Sequence, residues 1–320
     1  MRYSCILAAT GLLATVSGHG LVTSIQGANG VTMPGLSVAD GTPRDCSSNR
    51  CGSQADTAII RDDELGTSKA SALGRTEGNG PVDAETMIAN FMGGAAAPTN
   101  NGSASSTGVE DNIDLAKAGG KSDDEEEEEE EDDKKKRSSV KAGRGLADLL
   151  GGLTGGGAGT KSETATETTV AKSAGQGATD GLPTCADDGS ITMTFRQINQ
   201  DGAGPMTAAV DGTSGGTDPS AFENAEVTQD VPGVGFGGLS LATNTDFPLT
   251  VQMPAGMTCD ASVGGADNVC VVKVQNSALA GPFGGSAAFT QSAAAKKRAI
   301  AYRLKKRAES DRLQNRRLRA

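Results

Sequence analysis

The sequence has little of what most enzyme sites require. It contains no tryptophan, two tyrosines and one histidine, His19, among 320 residues. A Ser-His-Asp or Cys-His catalytic site, or a zinc site with two histidines, would have to be built around this single imidazole. Both tyrosines, Tyr3 and Tyr302, fall outside the predicted core, so no aromatic platform for sugar rings is expected. The same absence disfavours a glycosidase that uses paired carboxylates.

Apolar residues and net positive charge are also scarce. Hydrophobic residues make up 36% of the chain and aromatic residues 3%, so the folded core is expected to be smaller than the length suggests. The formal charge is -11, from 29 basic and 40 acidic residues. This balance argues against a nucleic-acid partner, because affinity for a phosphate backbone comes mainly from clustered Lys and Arg.

No long apolar run is present, but a short one occupies residues 6–16. It follows Arg2 and ends in the small residues Val16-Ser17-Gly18, a pattern that predicts a secretory signal peptide over residues 1–18. The run is shorter than a membrane span requires. We therefore expect a secreted, extracellular protein without a membrane span, whose mature chain begins at His19.

The cysteines are expected to pair after export to an oxidising compartment. Cys5 leaves with the signal peptide, so five cysteines remain. Cys259 and Cys270 flank the turn signal Gly264-Gly265, which predicts a disulfide across a hairpin. Three others compete for one further bridge and leave one thiol over: Cys46, Cys51 and Cys185.

Residues 95–182 are rich in Gly, Ala, Ser, Thr and charge, and residues 123–133 are eleven consecutive acids. Such a composition cannot bury enough apolar area to offset the entropy of ordering, so it predicts a disordered insert. The acidic run is interpreted as a solvated spacer, with binding of cations or a basic partner as the alternative. Asn101-Gly102-Ser103 is a glycosylation sequon at the edge of this insert, as expected of a glycoprotein.

Residues 292–320 form a basic tail with eleven Lys or Arg and two acids. Good helix formers and the absence of Gly and Pro predict a helix. Three roles stay open: a solvated tail, an arm that binds acidic polymers, or a tail removed at the dibasic site Lys306-Arg307.

The remaining blocks, residues 19–94 and 183–291, contain short apolar runs separated by Gly and Pro. This pattern predicts a mainly β fold, a single β-sandwich-like domain interrupted by the insert. Residues 21–25 are predicted as the opening strand, and residues 83–92 as a short helix capped by Asp83. Further strands are predicted at residues 191–195, 225–227, 247–253 and 269–274.

The mature N-terminus suggests one metal site. A free α-amine and the imidazole of the same His19 can chelate one ion, and such nitrogen ligands favour Cu(II). The opening His19-Gly20-Leu21-Val22 resembles the mature start of lytic polysaccharide monooxygenases, which are copper-dependent sandwich enzymes. Those enzymes use a second histidine, which this chain lacks. Copper at His19 is therefore kept as an alternative, and no other cofactor is expected.

A closer resemblance rests on several motifs in order. Residues 19–30, Arg44-Asp45-Cys46 with Cys51-Gly52, and residues 78–83, 199–205 and 281–285 resemble the Egh-type secreted virulence factors of filamentous fungi, the Gas and Mas appressorial proteins. The resemblance implies a secreted protein associated with appressoria and host penetration, without an established reaction. The Gly and Pro residues of these motifs specify tight turns rather than a catalyst.

The sequence thus favours a protein that is not an enzyme and that acts at the cell wall or host surface. Its expected partner is a cell-wall polysaccharide or a host surface component, and Asp201 is the first candidate side chain for that contact. The alternative is a copper-dependent oxidative enzyme that acts on polysaccharide through His19.

Overall fold

Alternation of apolar and polar residues builds the strands of this protein. In Ser190–Gln197 the side chains of Ile191, Met193 and Phe195 are buried, and Thr192 between them is exposed. This period of two places one face of each strand against the core. The computed structural model describes residues 19–47, 51–100, 159–162, 164–200, 202–233, 240, 242–278 and 281–317.

Within these ranges the chain forms thirteen strands and four α-helices. The strands are β1 Gly20–Gln26, β2 Thr32–Pro34, β3 Ala58–Ile59, β4 Arg75–Thr76, β5 Gly80–Pro81, β6 Thr160–Lys161, β7 Ser190–Gln197, β8 Thr207–Asp211, β9 Phe222–Gln229, β10 Thr245–Gln252, β11 Ala261–Val263, β12 Ala266–Gln275 and β13 Phe283–Phe289. The helices are α1 Ala84–Phe91, α2 Thr169–Ser173, α3 Gly177–Asp180 and α4 Ala293–Arg317.

The strands pair antiparallel in one curled sheet. Its order is β2-β1-β7-β10-β9-β8-β12-β13-β3-β4-β5, with β6 beside β10 and β11 beside β12. The β9–β8 pair joins the two halves, and β1 of one half packs against β13 of the other. The approach is close at Gly285, where a Cβ atom would lie 2.6 Å from the backbone nitrogen of Val22. The predicted mainly β, sandwich-like fold is confirmed.

The predicted helix at residues 83–92 is present as α1. Asp83 is its N-cap, and its carboxylate accepts a hydrogen bond from the backbone N–H of Glu85 at 2.9 Å. Met87, Ile88 and Phe91 point into the core. No helix among the described ranges has the length and apolarity that a membrane span needs.

Part of the predicted disordered insert is ordered. Residues 164–182 contain α2 and α3, and both oxygens of Asp40 accept hydrogen bonds from the backbone N–H groups of Val170 and Ala171. Val170 is fully buried. Composition did not reveal this order because the anchoring partner lies 130 residues away. The acidic run at 123–133 and the sequon at Asn101 lie outside the described residues.

A buried ion cluster ties the same segment to the loop after β2. The guanidinium of Arg44 donates to both oxygens of Asp56, at 2.9 and 2.5 Å, and to Oε2 of Glu167 at 3.0 Å. All three residues are at most 5% exposed. The other oxygen of Glu167 accepts hydrogen bonds from the backbone N–H groups of Thr168 and Thr169. These contacts compensate the cost of burying the charges.

The cluster makes stability depend on pH. Burial alone would raise the pKa of Glu167, but attraction to Arg44 and hydrogen bonds from Thr169 hold this pKa below its ordinary value. A lowered pKa contributes stability above the unfolded value of about 4.3, and this contribution is lost as pH falls through the folded value. Glu167→Gln is expected to lower the free energy of unfolding near pH 7 by about 2 kcal/mol.

Urea denaturation from about pH 7 to about pH 3 measures this effect. The gap in unfolding free energy between the variant and the wild type should narrow in acid as Glu167 is protonated. Glu226→Gln, at an exposed position of β9, is the control and should change little. A gap that stays constant down to about pH 3 would contradict the assignment.

Candidate functional site

His19 lies at the start of β1 and is almost fully enclosed. It is 2% exposed, and its ring centroid is 4.3 Å from that of Phe283. Its backbone N–H donates to the side-chain oxygen of Asn199, and its carbonyl accepts from the backbone N–H of Ile198 at 2.9 Å. His19 is thus part of the packing between the two halves of the sheet.

The fold brings together three of the motifs that carried the family resemblance. The chain near Gly202 passes so close to His19 that a Cβ atom at Gly202 would lie 2.1 Å from the His19 carbonyl oxygen. Asn276 joins the motif at residues 199–205 to the motif at residues 281–285. Its side-chain nitrogen donates to the carbonyl of Ala203 at 3.2 Å, and its side-chain oxygen accepts from the N–H of Phe283 at 3.0 Å. The Gly- and Pro-rich motifs therefore build a closely packed corner.

Sequence reasoning did not single out Asn276. This residue lies just beyond β12 and outside every motif; one partner, Ala203, is 73 residues away in sequence, and the other, Phe283, begins β13. No local signal marks an asparagine for such a role, because the demand arises from backbone groups that only the folded chain places nearby.

The surroundings of His19 supply few further ligands for copper. The backbone nitrogen of His19 donates a hydrogen bond to the side-chain oxygen of Asn199, and the ring of Phe283 packs against the imidazole of His19. In the described part of the chain, no three His, Cys, Asp or Glu side chains converge to hold a metal ion. Cu(II) favours several nitrogen ligands in an accessible site. After cleavage before His19, the α-amine and the imidazole would supply two nitrogen ligands, and the side chain beside them is the amide of Asn199 rather than a second imidazole.

The cysteines pair in two disulfides. Cys259 bonds to Cys270 across the β11–β12 hairpin, as predicted, and the turn glycines Gly264 and Gly265 both have positive φ. Of the three cysteines left open by the sequence, Cys46 and Cys51 are bonded.

Cys185 keeps a thiol and is 2% exposed. Burial raises the pKa of this thiol, which keeps it protonated and weakly nucleophilic. The remaining candidate, Asp201, lies outside the described residues.

A different region presents accessible chemistry. The first half of α4 is fixed to the body of the protein, because Arg303 donates to the carbonyl of Gly256 at 2.6 Å and Arg298 donates to that of Asp187 at 2.9 Å. Ala295 and Ala299, two residues of this first half, are buried. From residue 300 to residue 315 every side chain is exposed.

An open groove with a volume of about 610 Å³ runs along this helix. We call it the α4 groove. Its helical wall consists of Tyr302, Arg303, Lys306 and Arg307, and its other wall includes Thr213, Ser220, Glu223 and Asp260. The groove thus combines an aromatic ring, three cations, two carboxylates and several hydroxyl groups.

Tyr302 is the aromatic member of this groove and is 41% exposed. One edge of its ring lies on Gly256, where a Cβ atom would be 2.9 Å from Cδ1 of Tyr302. The ammonium of Lys306 lies 5.8 Å from the ring centroid, within the range of a cation–π contact. Sequence reasoning placed Tyr302 outside the core, and the structure sets it on the surface of the body as a partly open ring.

Comparisons with known proteins agree with the motifs. A family model described as "Egh16-like virulence factor" matches residues 17–284 and so ends before α4. The appressoria-specific virulence factor GAS2 of Pyricularia oryzae is 51% identical over 308 residues, which cover 96% of this chain and 95% of GAS2. The virulence factor GAS1 of the same fungus is 37% identical over 129 residues, 39% of this chain and 50% of GAS1. No solved structure matches. The chain therefore belongs to the Egh16-like virulence factor family.

Proposed function

We propose that this protein is exported by the fungus during appressorium formation and attaches to polysaccharide of the cell wall or host surface through the α4 groove. The association with appressoria is supported by the similarity to GAS2. Export is supported by the pattern of residues 1–18 and by the two disulfides, which persist mainly in oxidising compartments.

The observation that carries the binding role is the composition of the α4 groove. A partly exposed ring, that of Tyr302, can cover the C–H face of a sugar. Hydroxyl groups and carboxylates on the facing wall, such as Thr213 and Asp260, can exchange hydrogen bonds with sugar hydroxyls. An open groove of this volume can hold one or a few sugar rings of a polymer.

The same composition favours binding over reaction. The two carboxylates that line the groove, Glu223 and Asp260, are the groups that a glycosidase uses as a pair, but Asp260 accepts a hydrogen bond from the hydroxyl of Thr258 at 2.6 Å, which ties that carboxylate to its own wall. His19, the alternative reactive residue, is enclosed in the corner by Phe283. We therefore propose a binding protein and derive no catalytic step.

Retention on insoluble polysaccharide tests the binding role. The purified protein is expected to be retained on at least one of isolated plant walls, cellulose, chitin and β-glucan. Tyr302→Ala should reduce the retained fraction at least about threefold, because it removes the stacking surface. Leu304→Ala is the matched control, since Leu304 is 60% exposed on the same helix and does not line the groove. Absence of retention on every material would refute the proposal.

Expression of the full chain in a filamentous fungus tests export. N-terminal sequencing of the protein in the culture medium should begin at His19, because cleavage after Gly18 removes the apolar run and leaves β1, which begins at Gly20, intact. A variant without residues 2–18 should stay inside the cells. Recovery of the full-length chain only from cell lysate would show that export is wrong.

A further inference from the structure

We infer that the α4 groove recognises an acidic polysaccharide, a linear polymer of uronic acids, whose carboxylates pair with Lys306 and Arg307 while a sugar ring stacks on Tyr302. This inference rests on the proposed function and specifies its ligand class.

The first support is the distribution of charge. The helix α4 contains ten Lys or Arg and two acids, whereas the whole chain has a net charge of -11. A cationic surface on an acidic protein attracts anionic polymers to one place and repels them elsewhere. A neutral glucan or chitin would gain nothing from this arrangement.

The second support is the geometry of the helical wall. Arg303 is held by hydrogen bonds to Gly256 and to the hydroxyl of Thr258, so it fixes the helix beside the groove. Lys306 and Arg307 follow three and four residues later, which places them on the same face as Arg303. Both are exposed. A guanidinium and an ammonium beside an open ring match a sugar that carries a carboxylate.

The third support concerns the facing wall. Glu223 and Asp260 line it, and they repel phosphate and uronate groups alike, which leaves the helical wall as the side that faces the charges of the ligand. A uronic acid polymer also offers hydroxyl groups, and these can donate hydrogen bonds to the two carboxylates. The groove further presents a single aromatic ring, whereas single-stranded nucleic acid is usually stacked on several.

A membrane surface fits the helix less well. Ile300 and Leu304 are four residues apart and share one side of α4, whereas Tyr302 and Leu313 lie on the opposite side. A helix that lies in a lipid interface needs one continuous apolar face. The exposed apolar residues of α4 do not form one.

Two double variants with equal loss of charge test the inference. Lys306→Gln with Arg307→Gln removes two of the three cations of the groove, and Lys305→Gln with Arg312→Gln removes two exposed cations of the same helix outside it. Binding to soluble oligogalacturonate, measured by calorimetry at about 50 mM NaCl, should weaken about fivefold to tenfold in the groove variant. The control should weaken less than about twofold.

Wild-type binding should also decrease strongly at about 500 mM NaCl, because salt screens exposed charges. All four substituted side chains are exposed, so both variants should keep the melting temperature of the wild type, which verifies that they are folded.

The outcomes separate this inference from the proposed function. Equal affinity for oligogalacturonate and for neutral β-glucan or chitin oligomers would overturn the uronate ligand and leave polysaccharide binding intact. Equal loss in the two double variants, or tighter binding to duplex DNA or to vesicles of phosphatidylserine, would overturn recognition by the groove. Failure to bind any polysaccharide would reject the proposed function itself.

Discussion

The packing of β1 against β13 is the contact on which the rest of the structure depends. A sheet buries its apolar face against helices, against a second sheet or by curling onto itself, and here its two halves meet where Gly285 lies against Val22. Because Gly285 has no side chain, its backbone can lie directly against that of Val22. The same contact brings His19 onto Phe283 and draws the turns around Gly202 into one corner. The family motifs are thus explained mainly by packing.

Charge is handled differently in the interior and at the surface. Inside, Arg44 is surrounded by Asp56 and Glu167, and the hydrogen bonds of this cluster hold together segments more than 100 residues apart. On the surface, α4 concentrates positive charge, since it contains ten Lys or Arg and two acids. The buried cluster supports the scaffold, whereas the exposed helix creates a field that can select an anionic partner. The proposed binding role is assigned to the exposed helix α4.

Much of the fold was predictable because its signals are local. Periodicity two marked β7 and β10, Asp83 marked the start of α1, and Gly264-Gly265 between Cys259 and Cys270 marked a hairpin with its disulfide. The order of residues 164–182 was not predictable from composition, since Glu167 and Val170 are ordered by partners far away in sequence.

The candidate site was also predictable only in part from local signals. The basic helix followed from its residues, but the groove did not, because it needs Tyr302 and Gly256 side by side, and no pattern links these positions. The sequence alone determined five of the strands, the hairpin disulfide, the helical tail and the family, all of which depend on neighbouring residues or on the spacing within short motifs. Only the tertiary structure decided that His19 is enclosed and Tyr302 is open. Exposure depends on what the rest of the chain packs over a residue, and this is a property of the whole fold.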